Sequence, residues 1–282
     1  MKLLRYGQPG KEKPALLDKN NQIRDVTGII PDVADEVLSP GSLKRLATLN
    51  PDSLPLIPGT PRVGPCVNRV GKFICIGLNY SDHAAETGNP APAEPVVFMK
   101  ATSAITGPND NVVIPRDSQK TDWEVELGVI IGSPTKYVPE SQALNHVAGY
   151  CVINDLSERA FQLESTGQWT KGKSADTFGP IGPWLVTKDE VSDPQNLKMS
   201  LKVNGHQYQN GSTKTMIFTV AYIVSYLSRF MSLQPGDIIS TGTHPGVGMG
   251  QKPPVFLKPG DKIQLGIQGL GEQNQTVIAD LP

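Results

Sequence analysis

Cysteine is scarce in this chain of 282 residues: there are three, Cys66, Cys75 and Cys151. Their odd number and wide spacing exclude a disulfide framework and the close pairs of a zinc site, and they read as reduced thiols of a cytoplasmic protein. Charge of one sign is not in excess either. The 26 Lys and Arg nearly balance the 27 Asp and Glu, a net charge of −1, whereas a nucleic-acid partner calls for a basic surface. No apolar run approaches the roughly 18 residues of a membrane helix. The opening Met-Lys-Leu-Leu-Arg-Tyr-Gly holds no signal-peptide core. There is no tandem repeat and no low-complexity tract. Glycine and proline, by contrast, are plentiful at 28 and 25, a density that favours short strands and turns over long helices. The 38% hydrophobic content suits an ordinary globular protein, of one large domain or one domain with a small appendage.

Residues 1–65 read as a small N-terminal α/β domain and linker. Ala15–Leu17 and Gln22–Val26 flank a turn at Asp18-Lys-Asn-Asn, a helix is expected from Ser42, and the proline-rich stretch 54–65 is expected to be extended. Residues 66–282 read as the catalytic domain, mostly β. Strands are expected at Lys72–Gly77, Val96–Met99, Asn111–Ile114, Val125–Ile131, Ala148–Asn154, Ile238–Ile239 and Lys262–Ile267. Leu197 to Val203 alternate strictly with polar residues and end on Asn204-Gly205, a hairpin signal. The best helix runs from Thr219, its candidate N-cap, to Phe230, with Val220, Ile223, Val224 and Leu227 on one face.

Two acids stand out. Glu124 and Glu126 lie one residue apart in Trp123-Glu-Val-Glu-Leu-Gly-Val-Ile-Ile. Residues i and i+2 of a strand share a face, so the two carboxylates converge. Side-by-side like charge is costly, and a cation with oxygen ligands, Mg²⁺, Mn²⁺ or Ca²⁺, offsets it. The plainer alternative is an exposed edge strand with two solvated acids. Asp155, just past the apolar run Tyr150–Asn154, is placed to complete a metal site. Three acids leave about three positions of a roughly six-coordinate ion for water and substrate. Downstream of the Lys72–Gly77 strand, His83 and Glu86 fall at i and i+3 of a possible helix, a spacing that lets the Glu orient the imidazole as a base. Lys100 ends a strand and Lys173 follows Trp169 closely, both suited to an anionic substrate, while Lys171 reads as a solvated loop charge. Gly246-Val-Gly-Met-Gly250 is followed by Gln251-Lys-Pro-Pro, which blocks the helix a dinucleotide loop must open. Thr241-Gly242-Thr243 instead offers N–H groups and hydroxyls to a carboxylate.

In order along residues 70–280, these segments resemble the fumarylacetoacetate hydrolase family. The pieces are Gly77-Leu-Asn-Tyr80 with His83 and Glu86, Val97–Lys100, Asp122–Gly128, Gly149–Tyr150 with Asn154–Asp155, Lys171–Ser174, Phe178–Pro180, Val203–Gly205 and Ile239–Thr243. The resemblance implies a mixed β-sandwich/β-roll catalytic domain, usually a homodimer, acting on a small oxo acid. It implies Mg²⁺ or Mn²⁺ on Glu124, Glu126 and Asp155. It makes His83 and Glu86 a mobile catalytic dyad, Lys173 the active-site lysine, and Gln162 and Thr243 substrate contacts. Expected chemistry is hydrolysis of a 2,4-diketo acid to release pyruvate. Ureidoglycolate cleavage, isomerisation or decarboxylation of muconate-type diacids, and an inactive metal-binding protein are the alternatives. Two departures are visible: Ala160 stands where many members carry Asp, and no counterpart of the namesake enzyme's further acidic ligand can be placed.

Overall fold

The run Val125–Ile131 becomes a central strand of a large mixed sheet in the computed structural model, which describes residues 1–82, 92–164 and 166–280. All its residues are buried, because a strand covered on both faces needs a nearly continuous apolar sequence. The sheet runs through β1 Lys2–Tyr6, β2 Lys13–Leu17, β3 Ile23–Asp25, β4 Phe73–Gly77, β5 Val96–Lys100, β6 Val125–Ile131, β7 Val147–Asn154, β8 Gly179–Thr187 and β9 Ile238–Ser240. Their order is β3-β2-β1-β8-β7-β6-β9-β4-β5, with the short strand Ile105–Thr106 added beside β8. Along that order only β9 and β4 are parallel. Four helices matter below: α1 Pro40–Leu46, α2 Arg159–Leu163, α3 Thr170–Lys173 and α4 Val220–Phe230.

The two faces of β6 enter two different cores. Val125, Leu127, Val129 and Ile131 pack against a second, five-stranded sheet and against α4. That second sheet is ordered His206–Ser212, Lys198–Val203, Lys262–Ile267, Gly271–Ala279, Val112–Ile114. α4 buries Val220, Ile223, Val224 and Leu227, and the Thr219 hydroxyl caps it by accepting the Tyr222 N–H at 3.1 Å. The hairpin at Asn204-Gly205 forms as expected, both residues having positive φ. On the other face, Ile130 joins Cys151, Ile153, Leu185 and Ile238, together with Leu3, Leu16 and the α1 residues Leu43 and Leu46. All three cysteines are free and buried there.

The first 65 residues extend the large sheet. β1 pairs with β8 through Lys2↔Val186 and Leu3↔Leu185, and β2 and β3 follow outward. The proline-rich stretch runs alongside, bridging Arg24 at Leu56 and Tyr6 at Val63. Among the described residues no helix is long and apolar enough to cross a membrane.

Candidate metal and substrate site

Period-two alternation puts Glu126 on the Ile130 face of β6, and Glu124 precedes it on the same side. Asp155 follows β7, the antiparallel neighbour of β6. Its backbone N–H donates to the Glu124 carbonyl at 2.9 Å, which ties the two strand ends together. One carboxylate oxygen from each of Glu124, Glu126 and Asp155 lies within 4.8 Å of the others. The three residues are 8%, 2% and 0% exposed, so the edge-strand alternative is excluded.

Buried cations separate these acids. Lys173, at the end of α3, donates to Glu124 Oε2 at 2.5 Å and to Asp155 Oδ2 at 2.9 Å. Lys100, closing β5, donates to the other oxygen of Asp155 and to the Leu156 carbonyl. Arg159, at the start of α2, donates from Nη2 to Glu124 Oε1 at 2.7 Å, from Nε to Asp122 at 2.8 Å and from Nη1 to the Gln162 amide oxygen at 3.0 Å. Signs therefore alternate from Asp122 through Arg159, Glu124, Lys173 and Asp155 to Lys100. Glu126 stands outside this chain. Its Oε2 accepts the Ser240 hydroxyl at 2.6 Å and the Gly242 N–H at 2.8 Å, and no cation pairs with it among the described residues. The Thr241-Gly242-Thr243 turn thus meets a carboxylate, and it is the protein's own.

Titration follows from those contacts. Burial would raise the Glu124 carboxyl, but Lys173 and Arg159 outweigh it and bring the group down to about 2. Burial, and then the charges of Asp155 and Glu124, push Glu126 well above the usual carboxylate range. Burial lowers Lys100 despite Asp155. Lys173 is raised, since Asp155 and Glu124 more than offset its burial. Four carboxylates, with Asp122 included, face three cations here. A hard divalent cation fits that all-oxygen donor set and would take the place of the proton that Glu126 otherwise holds.

Glu124, Glu126, Lys173, Arg159, Gln162 and Thr243 share the wall of a cavity of about 250 Å³. The rest of the lining is mostly apolar. Phe98 and Trp169 meet edge to face at 5.2 Å, the Lys173 ammonium lies over the Phe98 ring, and Leu163 and Met249 are partly exposed. Trp169 rests on Gly77, where a Cβ would come within 2.5 Å of its ring. A larger cleft, about 620 Å³ between the N-terminal strands and the Thr102–Asn111 segment, holds no such cluster: its Arg5 and Arg62 are already paired with Asp32, Glu12 and Asp110.

The structure thus brings together Glu124, Glu126, Asp155, Lys173, Gln162 and Thr243. The Thr243 hydroxyl is held by the Val125 carbonyl and the Gln209 amide. Lys100 lies behind Asp155 and has no position on the cavity wall. His83 and Glu86 lie outside the described residues. Lys171 is exposed. At Ala160, the backbone N–H donates to Glu158, which caps α2. Sequence reasoning passed over the bonds of Arg159 and Asp122 to this cluster. The only signal was their place beside residues already singled out.

Comparison with known proteins places the sequence and the fold. The model of the fumarylacetoacetate hydrolase C-terminal region matches residues 72–278. A protein of Burkholderia multivorans, named as a presumed hydrolase, is 64% identical over 280 residues, covering 99% of each chain. The structure of 2-hydroxyhepta-2,4-diene-1,7-dioate isomerase from Mycobacterium marinum superposes with a TM-score of 0.80 at 32% identity over the whole of both chains. That of maleylpyruvate hydrolase from Sphingobium sp. SYK-6, solved with manganese(II) and pyruvate, does so with a TM-score of 0.80 at 28% identity, again over both whole chains. On this match of sequence and fold, the chain belongs to the fumarylacetoacetate hydrolase family.

Proposed function

We propose that the protein is a Mg²⁺- or Mn²⁺-dependent hydrolase that splits a C–C bond of a 2,4-diketo acid and releases pyruvate. The observation that carries this reading is the buried Glu124–Glu126–Asp155 cluster, whose two glutamates line a cavity beside Lys173 and Gln162. Those three carboxylates would hold the ion. When bound, it supplies positive charge beside the substrate's 2-oxo acid end, where negative charge gathers as the bond breaks. His83, oriented by Glu86, takes a proton from water, whose oxygen adds to the distal carbonyl. The Lys173 ammonium and the Gln162 amide face the oxyanion that results. Collapse restores the carbonyl as a carboxylic acid. The bonding pair passes to the pyruvate fragment, which is then protonated. Arg159 donates to the Gln162 amide oxygen, which leaves the N–H₂ end of that amide as its donor toward substrate.

The supporting relatives include both a hydrolase and an isomerase. Isomerisation of a hydroxydienedioate is the second reading, favoured by the Mycobacterium marinum likeness. It would use the same base to take the proton of the 2-hydroxyl and return one to carbon at the far end of the diene, giving the 2-oxo ene with no water added.

The test is a panel of acylpyruvates, diketo sugar acids, oxaloacetate and ureidoglycolate, with Mg²⁺ or Mn²⁺, with and without chelator. Chelator-sensitive pyruvate release from one diketo acid is expected, and His83→Ala should lower it roughly 100-fold or more. Turnover near wild type in His83→Ala would remove the base from this account. Isomerisation without pyruvate release would favour the second reading.

A further inference from the structure

We infer that Asp122 is a positioning residue: from the glycine-rich segment 246–250 it fixes the Arg159 guanidinium, and through it Glu124 and Gln162. The inference rests on the reading of Glu124 as a metal ligand. Asp122 is fully buried and has no place on the cavity wall, so it acts only through other groups. Its Oδ1 accepts the N–H of Trp123 at 2.8 Å and of Gly248 at 2.6 Å. Its Oδ2 accepts the N–H of Met249 at 3.0 Å and Nε of Arg159 at 2.8 Å. An ionised carboxylate has about four acceptor sites, and all are used. The carboxylate's orientation is therefore set from four directions, three of them backbone.

Arg159 passes that orientation on. A guanidinium is planar and rigid, so a fixed Nε leaves its two terminal nitrogens little choice. One donates to Glu124 Oε1 and the other to the Gln162 amide oxygen. The glycine-rich segment thereby acquires a purpose other than holding a nucleotide. At Gly248 a Cβ would lie 2.0 Å from the Val255 carbonyl oxygen and 2.8 Å from Asp122 Oδ1, so only glycine lets the N–H reach the carboxylate. Met249, next in the chain, carries the same segment onto the cavity wall.

Asp122→Asn keeps the shape but turns one acceptor oxygen into a donor that faces N–H groups. The measurement is Mn²⁺ affinity of the full-length protein by electron paramagnetic resonance, together with kcat and KM on the best diketo acid. The Asn variant should fold, bind Mn²⁺ roughly 10- to 100-fold more weakly, and lose kcat more than it raises KM. Arg159→Lys should do the same, and the double variant should be little worse than either single one, because both break one relay. A folded Asp122→Asn protein with Mn²⁺ affinity and kcat within about twofold of wild type would overturn the inference. So would additive losses in the double variant. If the Asn variant is insoluble, Arg159→Lys decides alone: weakened Mn²⁺ binding supports the relay and wild-type binding overturns it. Mn²⁺ affinity is read without turnover, so a failed hydrolase assignment and a failed Asp122 role are told apart.

Discussion

Glu126 differs from its neighbours in having no cationic partner among the described residues, only a hydroxyl and an N–H on one oxygen. Its raised titration has a definite sign. The neutral form's contribution to stability is complete below the ordinary Glu value and fades as pH rises toward the raised one. A divalent ion must displace that proton, so binding is linked to proton release. Mn²⁺ is therefore expected to raise the melting temperature more at about pH 8 than at about pH 5.5, at constant ionic strength. Equal shifts at the two values would contradict this. Glu124 runs the other way: its contribution is present above the ordinary value of 4.5 and lost as pH falls toward about 2. The convergence of these two acids was legible from their spacing, since extended chain alternates sides with period two, although Glu124 lies just before β6 and not within it. The ties of Arg159 and Asp122 were not. Their partners come from segments up to 127 residues apart, and no local pattern encodes such a meeting.

Strands were legible where the buried positions are apolar. β6 and β7 declare themselves as continuous runs, and Lys198–Val203 as an alternation. β8 was hidden by Pro180, Gly182 and Pro183. The structure accommodates them at an irregularity, where the register against β7 shifts between Tyr150 and Val152. Gly271–Ala279 was hidden for another reason: its inward positions include Gln273 and Gln275, whose amides donate to the carbonyls of Val152 and Pro108. Satisfied polar groups replace the apolar period there. The two faces of β6 give the prediction at this scale. Leu127→Ala opens the sandwich core and should cost about 2–5 kcal/mol in urea denaturation, with Mn²⁺ affinity per folded molecule unchanged. Loss of Mn²⁺ binding at full stability would mean that the faces are not independent.

At the scale of the molecule, the large sheet is the frame on which the site is assembled. It aligns β4, β5, β6 and β9 so that residues as far apart as Ile76 and Thr243 line one cavity, with Asp155 at the end of β7 buried behind it. The family and the mostly β fold were readable from short ordered segments, whereas the way β1–β3 continue the catalytic sheet was not, since β1 carries no strand signal beyond five residues. The central claim is that the three buried carboxylates form one divalent metal centre. The most direct measurement is equilibrium Mn²⁺ titration of the chelator-treated protein by electron paramagnetic resonance, beside Glu126→Gln and Asp155→Asn. The account predicts one saturable ion per chain in the wild type and its loss in both variants. No saturable binding, or binding that survives both substitutions, would contradict it.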